Sequence, residues 1–124
     1  MNVPSDGDPV RRALLVEDDE GVRRSLQLLL HAFGYEVRSF DTAGALLNSD
    51  HAATADVLVA DYRLPDGNGI DVLRDLRARG WGGRAVLITA FADPRVTARA
   101  RANGFAAVLE KPLRRLALFA ALAA

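Results

Sequence analysis

The sequence has 124 residues, 50% of them apolar and 26% charged, and its sixteen acidic residues balance sixteen basic ones. This is the composition of one globular domain with room for a real core, and zero net charge gives no reason to expect nucleic acid or an anionic membrane as a partner. With no cysteine and two histidines, a disulfide framework and the zinc patterns built on Cys and His are excluded. Residues 1–11, MNVPSDGDPVR, are polar and rich in Pro, Gly and Asp, which predicts a flexible N-terminal arm ahead of a domain over 12–124. No secretory signal pattern opens the chain and no apolar run approaches about 18 residues, so a soluble, cytoplasmic protein is expected.

RALLVE, from Arg12 to Glu17, is a short apolar run suited to a buried strand. Val22, Leu26, Leu29, Leu30 and Phe33 then recur on one face of a helix that Gly34 can end. YEVRSF, ending at Phe40, alternates as an edge strand does. TAGALLNS, ending at Ser49, predicts a short helix, and ADVLVA, ending at Ala60, is a second buried run. The turn-rich RLPDGNG leads into a helix beginning at Ile70. RAVLIT, a helix beginning at Pro94 and closed by Gly104, the short strand AAVL and a last helix beginning at Leu113 complete the chain. Five strands alternating with five helices predict an α/β fold, a parallel sheet covered on both faces. Strands one, three and four read as buried and strands two and five as edges, which predicts the doubly wound, flavodoxin-like order 2-1-3-4-5.

In such a sheet, function lies beyond the carboxyl ends of the strands, where the strand order reverses. Strand one ends in Glu17-Asp18-Asp19-Glu20, strand three in Asp61, strand four in Thr89-Ala90, and strand five in Glu110-Lys111-Pro112. Lys111 is the only lysine; the other basic residues are all arginine. Carboxylates about 4 Å apart repel by several kcal/mol at an effective dielectric near 20, so a crevice holding three of them recruits a cation or takes up protons. An all-oxygen donor set favours a hard divalent ion, and a small site with open water positions favours Mg2+ with a phosphoryl ligand. An EF-hand calcium loop is excluded, because DYRLPDG puts Arg63 and Pro65 where that loop needs ligands. Each group alone has a plainer reading. Acid runs at loop tips are commonly solvated, an Asp after a strand commonly caps a helix, and a lone Thr or Lys there can serve a strand end or the surface. Their arrival together at consecutive strand ends favours a functional site.

LLVEDDE, DYRLPDGNG, LITA and LEKP, in that order, resemble the receiver domains of bacterial two-component response regulators, from about Arg12 to about Ala121. The resemblance implies that Asp61 is the phosphoacceptor, becoming 4-aspartylphosphate by transfer from a phosphohistidine on a histidine kinase or histidine phosphotransfer protein. It implies Mg2+ held by Asp19 directly and Asp18 through water, together with Asp61 and the backbone carbonyl of Arg63. Thr89 is implied as the switch hydroxyl and Lys111 as the phosphoryl contact, with a cis Lys111–Pro112 bond. The backbone N–H of Ala90 is implied as a further phosphoryl donor. A compact ammonium suits a tetrahedral phosphoryl group in a narrow crevice better than a planar guanidinium does. Self-phosphorylation from phosphodonors and autodephosphorylation of Asp61 are the only chemistry expected; turnover as an enzyme is not.

Two features depart from the family's pattern. Val108 stands where the family places Tyr or Phe, three residues before the lysine, so a coupled threonine–aromatic switch is not implied. Phe91 and Arg63, each two residues after Thr89 and Asp61, should flank the path of the hydrolytic water and slow loss of the phosphoryl group. In the last helix Leu113, Leu116, Ala117 and Ala120 fall on one face, while Leu118 and Leu122 point away with Arg114 and Arg115. Leu118 and Leu122, with Phe91, Val108 and Arg95, are therefore expected on a switch and partner surface, serving a homodimer through helix four, strand five and helix five. Two alternatives remain: a phosphorylation-independent interaction module on the same fold, and a small Mg2+-dependent aspartyl phosphatase. The phosphatase needs a second acid two residues after its nucleophile, where Arg63 stands.

Overall fold

The computed structural model describes residues 10–123; residues 1–9 of the expected arm lie outside the described residues. Five parallel strands form one sheet: β1 (Arg12–Val16), β2 (Glu36–Phe40), β3 (Val57–Asp61), β4 (Arg84–Thr89) and β5 (Ala107–Glu110). Their order is β2-β1-β3-β4-β5, the arrangement the pattern of buried and alternating strands predicts. The helices between them are α1 (Glu20–Ala32), α2 (Ala43–Leu47), α3 (Gly69–Ala78), α4 (Pro94–Ala102) and α5 (Arg115–Leu122). The turn-rich stretch after Asp61 holds a two-residue antiparallel ladder, in which Arg63 pairs with Asn68 and Leu64 with Gly67.

Successive strand residues point to opposite faces of a sheet, and here each face builds its own core. Leu14, Val16, Leu58, Ala60 and Leu87 meet Leu46 of α2, Ile70, Leu73 and Leu76 of α3 and Ala100 of α4. Ala13, Leu15, Val57, Val59, Val86 and Ile88 meet Leu26 and Leu30 of α1 and Leu118 and Leu122 of α5. Burial of each such aliphatic side chain contributes about 1.5–3 kcal/mol.

The helix starts follow their capping residues. Asp19, Thr42, Asn68 and Asp93 precede α1 to α4 in extended backbone, and each side chain accepts an N–H of the first turn. Gly34, at a φ of 98°, ends α1 in the left-handed conformation that favours glycine. At the amino-terminal end of the sheet, Trp81 is buried and its Nε1 donates to Ala55 O at 2.8 Å. The Arg77 guanidinium lies 5.0 Å over that ring and donates to Trp81 O and Gly83 O at 3.0 and 2.8 Å. Among the described residues, no helix is long and apolar enough to cross a membrane.

Candidate functional site

The pleat of the sheet assembles the site at its carboxyl end. Glu17 continues the face of Ala13 and Leu15, Asp61 that of Val57 and Val59, and Lys111 that of Ala107 and Leu109. Three charged groups are thereby aimed at one point from the ends of three strands. Glu17 is fully buried and Asp61 is 5% exposed. Lys111 Nζ donates to Glu17 Oε2 at 2.9 Å, to Glu17 Oε1 at 3.1 Å and to Asp61 Oδ2 at 3.1 Å. The Lys111–Pro112 bond is cis, as expected.

The electrostatics are strained in one direction. Burial, and then the Asp61 carboxylate beside it, push the Glu17 carboxyl from its ordinary 4.5 up to about 7, although Lys111 pulls the other way. For Lys111 burial is the largest single influence and lowers its pKa, yet Glu17 and Asp61 together more than reverse it, so the ammonium is held more firmly than usual. Glu17, Asp18 and Asp61 each offer a carboxylate oxygen, and these oxygens lie within 4.8 Å of one another. When all three carboxylates are ionised, one ammonium leaves an excess of two negative charges, and the raised pKa of Glu17 reflects the cost of that excess. An all-oxygen set carrying that excess fits a hard divalent cation.

Asp19 does not join this group, contrary to the expected Asp18–Asp19 pair. Its Oδ1 accepts the Val22 N–H at 2.9 Å, because α1 begins at Glu20 and Asp19 is its N-cap. The acid beside Asp18 is Glu17, one residue earlier and still on the strand's inward face. Arg23 reaches back from α1 to fix this backbone, donating to Glu17 O at 2.9 Å and Asp18 O at 3.3 Å. Sequence reasoning missed both Glu17 and Arg23; the capping position of Asp19, directly before the first helical residue, was the available signal.

Thr89 ends β4, buried and paired in register with Glu110 of β5. Its Oγ1 donates to Phe91 O at 3.1 Å and accepts the Phe91 N–H at 3.3 Å. Ala90 and Lys111 line an open, mainly apolar groove of about 500 Å³ whose other wall is Val22, Ser25 and Leu29 of α1. Arg63 sits on the turn after Asp61 with its side chain exposed. Asp66, further along that turn, accepts the Ala43 and Gly44 N–H groups, each at 2.9 Å. These contacts hold its carboxyl below the usual carboxylate range.

The expected partner surface is only partly present. Phe91 is 73% exposed and Arg95 is exposed, whereas Val108 is half-buried against the core on the α3 side. Leu118 and Leu122 are 0% and 2% exposed, so they are core residues and not surface ones. With Ala121 they form the i, i+3, i+4 stripe that α5 lays on the sheet. The outward side chains are Leu116 and Phe119, and Phe119 packs edge-on against Phe33, the residue just after α1, at 5.0 Å. Apolar residues lie on both sides of this helix, so periodicity alone could not choose the buried one.

Residues 13–123 match the family model of the response regulator receiver domain. The chain belongs to that family. Among curated relatives, this receiver is 33% identical over 110 residues to the transcriptional regulatory protein FixJ of Azorhizobium caulinodans, covering 89% of this chain and 52% of that protein. It is 36% identical over 100 residues to nodulation protein W of Bradyrhizobium diazoefficiens, covering 81% of this chain and 44% of that protein. The chain thus spans about half the length of these relatives. The crystal structure of FixJ-N is similar at a TM-score of 0.79 and 30% identity, with 91% of this chain and 90% of that one covered. Receiver domains act in two-component signalling as phosphorylation-controlled switches and are not enzymes in the usual sense.

Proposed function

We propose that this receiver accepts a phosphoryl group on Asp61 from a phosphohistidine of a histidine kinase or phosphotransfer protein, and uses it to switch protein contacts. The observation that carries the reading is the buried Asp61 carboxylate at the end of β3, bridged to Glu17 by the single lysine. Lys111 engages Oδ2 of Asp61, which leaves Oδ1 to attack. A lone pair on Oδ1 forms the O–P bond while the P–N bond to the donor imidazole breaks, and that bond's electrons leave with the nitrogen. Such transfers need positioning and charge neutralisation more than covalent help. Lys111 supplies part of that neutralisation, and the Ala90 N–H is a further donor to the phosphoryl oxygens. Glu17, Asp18 and Asp61, with the Arg63 carbonyl, would hold Mg2+, which supplies when bound the remaining positive charge. The apolar groove beside Lys111 offers the donor protein a surface along α1. Attack of water on the acyl phosphate later returns the carboxylate.

Incubation with Mg2+ and acetyl phosphate, followed by intact mass, tests the reading. One phosphoryl adduct, absent from Asp61→Ala, is expected. No adduct would favour the phosphorylation-independent module. Multiple turnover of unrelated phosphate esters would favour the aspartyl phosphatase, whose second acid is replaced here by Arg63.

A homodimer through α4, β5 and α5 would rest on the exposed Arg95, Arg99 and Arg101 pairing with acids of the second copy, since Leu118 and Leu122 are committed to the core. Sedimentation with and without beryllofluoride tests it, and a monomer in both states removes it.

A further inference from the structure

Thr89 and Glu110 are register partners at the ends of β4 and β5, and both continue the face of Leu87 and Val108, opposite to that of Asp61 and Lys111. Both side chains turn to the same loop, which joins β4 to α4. Thr89 holds it through both backbone groups of Phe91. Glu110 Oε2 holds it one residue on, accepting the Ala92 N–H at 2.7 Å. Glu110 is exposed, so burial does not oblige it to find a partner. Among the described residues it also makes no ion pair, although α4 nearby is rich in arginine.

We propose that Glu110 is a positioning residue of the switch, a latch from β5 that fixes the 90–93 loop in its unphosphorylated arrangement. The proposal rests on the reading of Asp61 as phosphoacceptor and Thr89 as the hydroxyl that answers it. A threonine hydroxyl has one proton, and Thr89 gives it to Phe91 O. To donate to a phosphoryl oxygen it must abandon that bond, and because Thr89 and Asp61 lie on opposite faces its side chain must also turn, which takes Oγ1 away from the Phe91 N–H. The loop is released at Phe91 and stays held at Ala92 alone. A carboxylate-to-amide bond is charge-assisted, about twice as strong as a neutral one, so the remaining hold is the stronger of the two. With Val108 packed into the core where a large aromatic ring could have tied β5 to the loop, Glu110 makes that connection by hydrogen bonding. The strength of its single contact then sets how readily the loop follows Thr89.

Three variants, Glu110→Ala, Glu110→Gln and Glu110→Asp, test this in the whole chain. In 1H–15N spectra without any phosphodonor, Glu110→Ala should move the Phe91 and Ala92 amides from the resting positions towards those of the beryllofluoride-bound wild type, with Glu110→Gln in between. The rate constant for phosphorylation of Asp61 by acetyl phosphate should rise roughly three- to tenfold in Glu110→Ala. Glu110→Asp, one methylene too short for the contact, should behave like the alanine variant although it keeps the charge. A residue that merely supports the fold would lower the melting temperature and leave the amides on their resting positions. That outcome, or an unchanged or slower rate in Glu110→Ala, overturns the latch. A wild-type chain that takes no phosphoryl group would instead sink the reading of Asp61, and the donor-free spectra keep the two failures apart.

Discussion

Lys111 and Glu17, 94 residues apart in the chain, are joined by hydrogen bonds of 2.9 and 3.1 Å from one ammonium to both oxygens of one buried carboxylate. A third bond from the same nitrogen reaches Asp61. A tetrahedral ammonium can serve three oxygens in different directions, whereas a guanidinium presents its donors in one plane. Lys111→Arg should therefore keep the charge and still slow phosphorylation of Asp61 by acetyl phosphate, by about 10- to 100-fold, and Lys111→Met should do the same. A wild-type rate in the arginine variant would show that charge alone is sufficient.

The neighbouring acids should separate by function. Glu17→Gln should weaken Mg2+ binding roughly tenfold, measured by titration calorimetry, because it removes one of three anionic oxygens. Asp19→Ala should leave Mg2+ affinity near the wild-type value and cost about 1 kcal/mol of stability in urea unfolding, the usual loss for an N-cap. The opposite pattern would return Asp19 to the metal site.

Gly69, the first residue of α3, lies under the strand that carries Asp61. A Cβ placed there would stand 2.5 Å from the Asp61 carbonyl oxygen and 2.8 Å from Leu87 Cδ1. The gain in helix propensity from alanine is at most about 1 kcal/mol, and the backbone oxygen cannot yield as a flexible side chain would. Gly69→Ala should lose about 1–3 kcal/mol in urea unfolding and phosphorylate more slowly, because Asp61 is displaced with its carbonyl.

Asp66 sets a pH dependence. The backbone N–H groups of Gly44 and then Ala43 lower its pKa in the folded state from the ordinary 3.8. Its contribution to stability is therefore complete above 3.8 and is lost as pH falls below that value through the folded pKa. The stability difference between wild type and Asp66→Ala, from urea unfolding, should be largest near neutrality and close in acid. A difference that persists unchanged in strong acid would assign it to something other than these carboxylate contacts.

Phe91 and Arg63 stand exposed on the two loops that border the end of β3. Phe91→Ala and Arg63→Ala should each shorten the lifetime of the phosphorylated form by several-fold, roughly 1 kcal/mol of barrier, followed by loss of the mass adduct after removal of acetyl phosphate. Unchanged lifetimes in both would mean that neither side chain screens the attacking water.

What could be read before folding follows from how each feature is encoded. The uninterrupted apolar runs ending at Val16, Asp61 and Thr89 mark strands buried on both faces, and the ends of those strands carry the site. The positions of Asp61 and Asp18 were legible for that reason, and that of Lys111 because it directly follows the short apolar run of β5. Glu17 was not, because VEDDE offers four successive acids and only the start of α1 at Glu20 decides which face inward. Leu118 and Leu122 were misplaced because α5 is apolar on more than one side, and the sheet beneath it makes the choice. The reach of Glu110 to Ala92 has no linear signature at all, since an exposed acid and a backbone amide eighteen residues away form no pattern.

Trp81 closes the sheet at the end opposite Asp61, hydrogen-bonded to Ala55 just ahead of β3. At about 3.3 Å per residue, the strand sets the indole roughly 20 Å from the acidic cluster. It is also the only tryptophan in the chain. Its emission will therefore report on whether the sheet is intact and stay indifferent to what happens at the acids, so one optical signal can follow unfolding at any degree of signalling. An observer of the switch itself has to place a probe elsewhere, at the far rim.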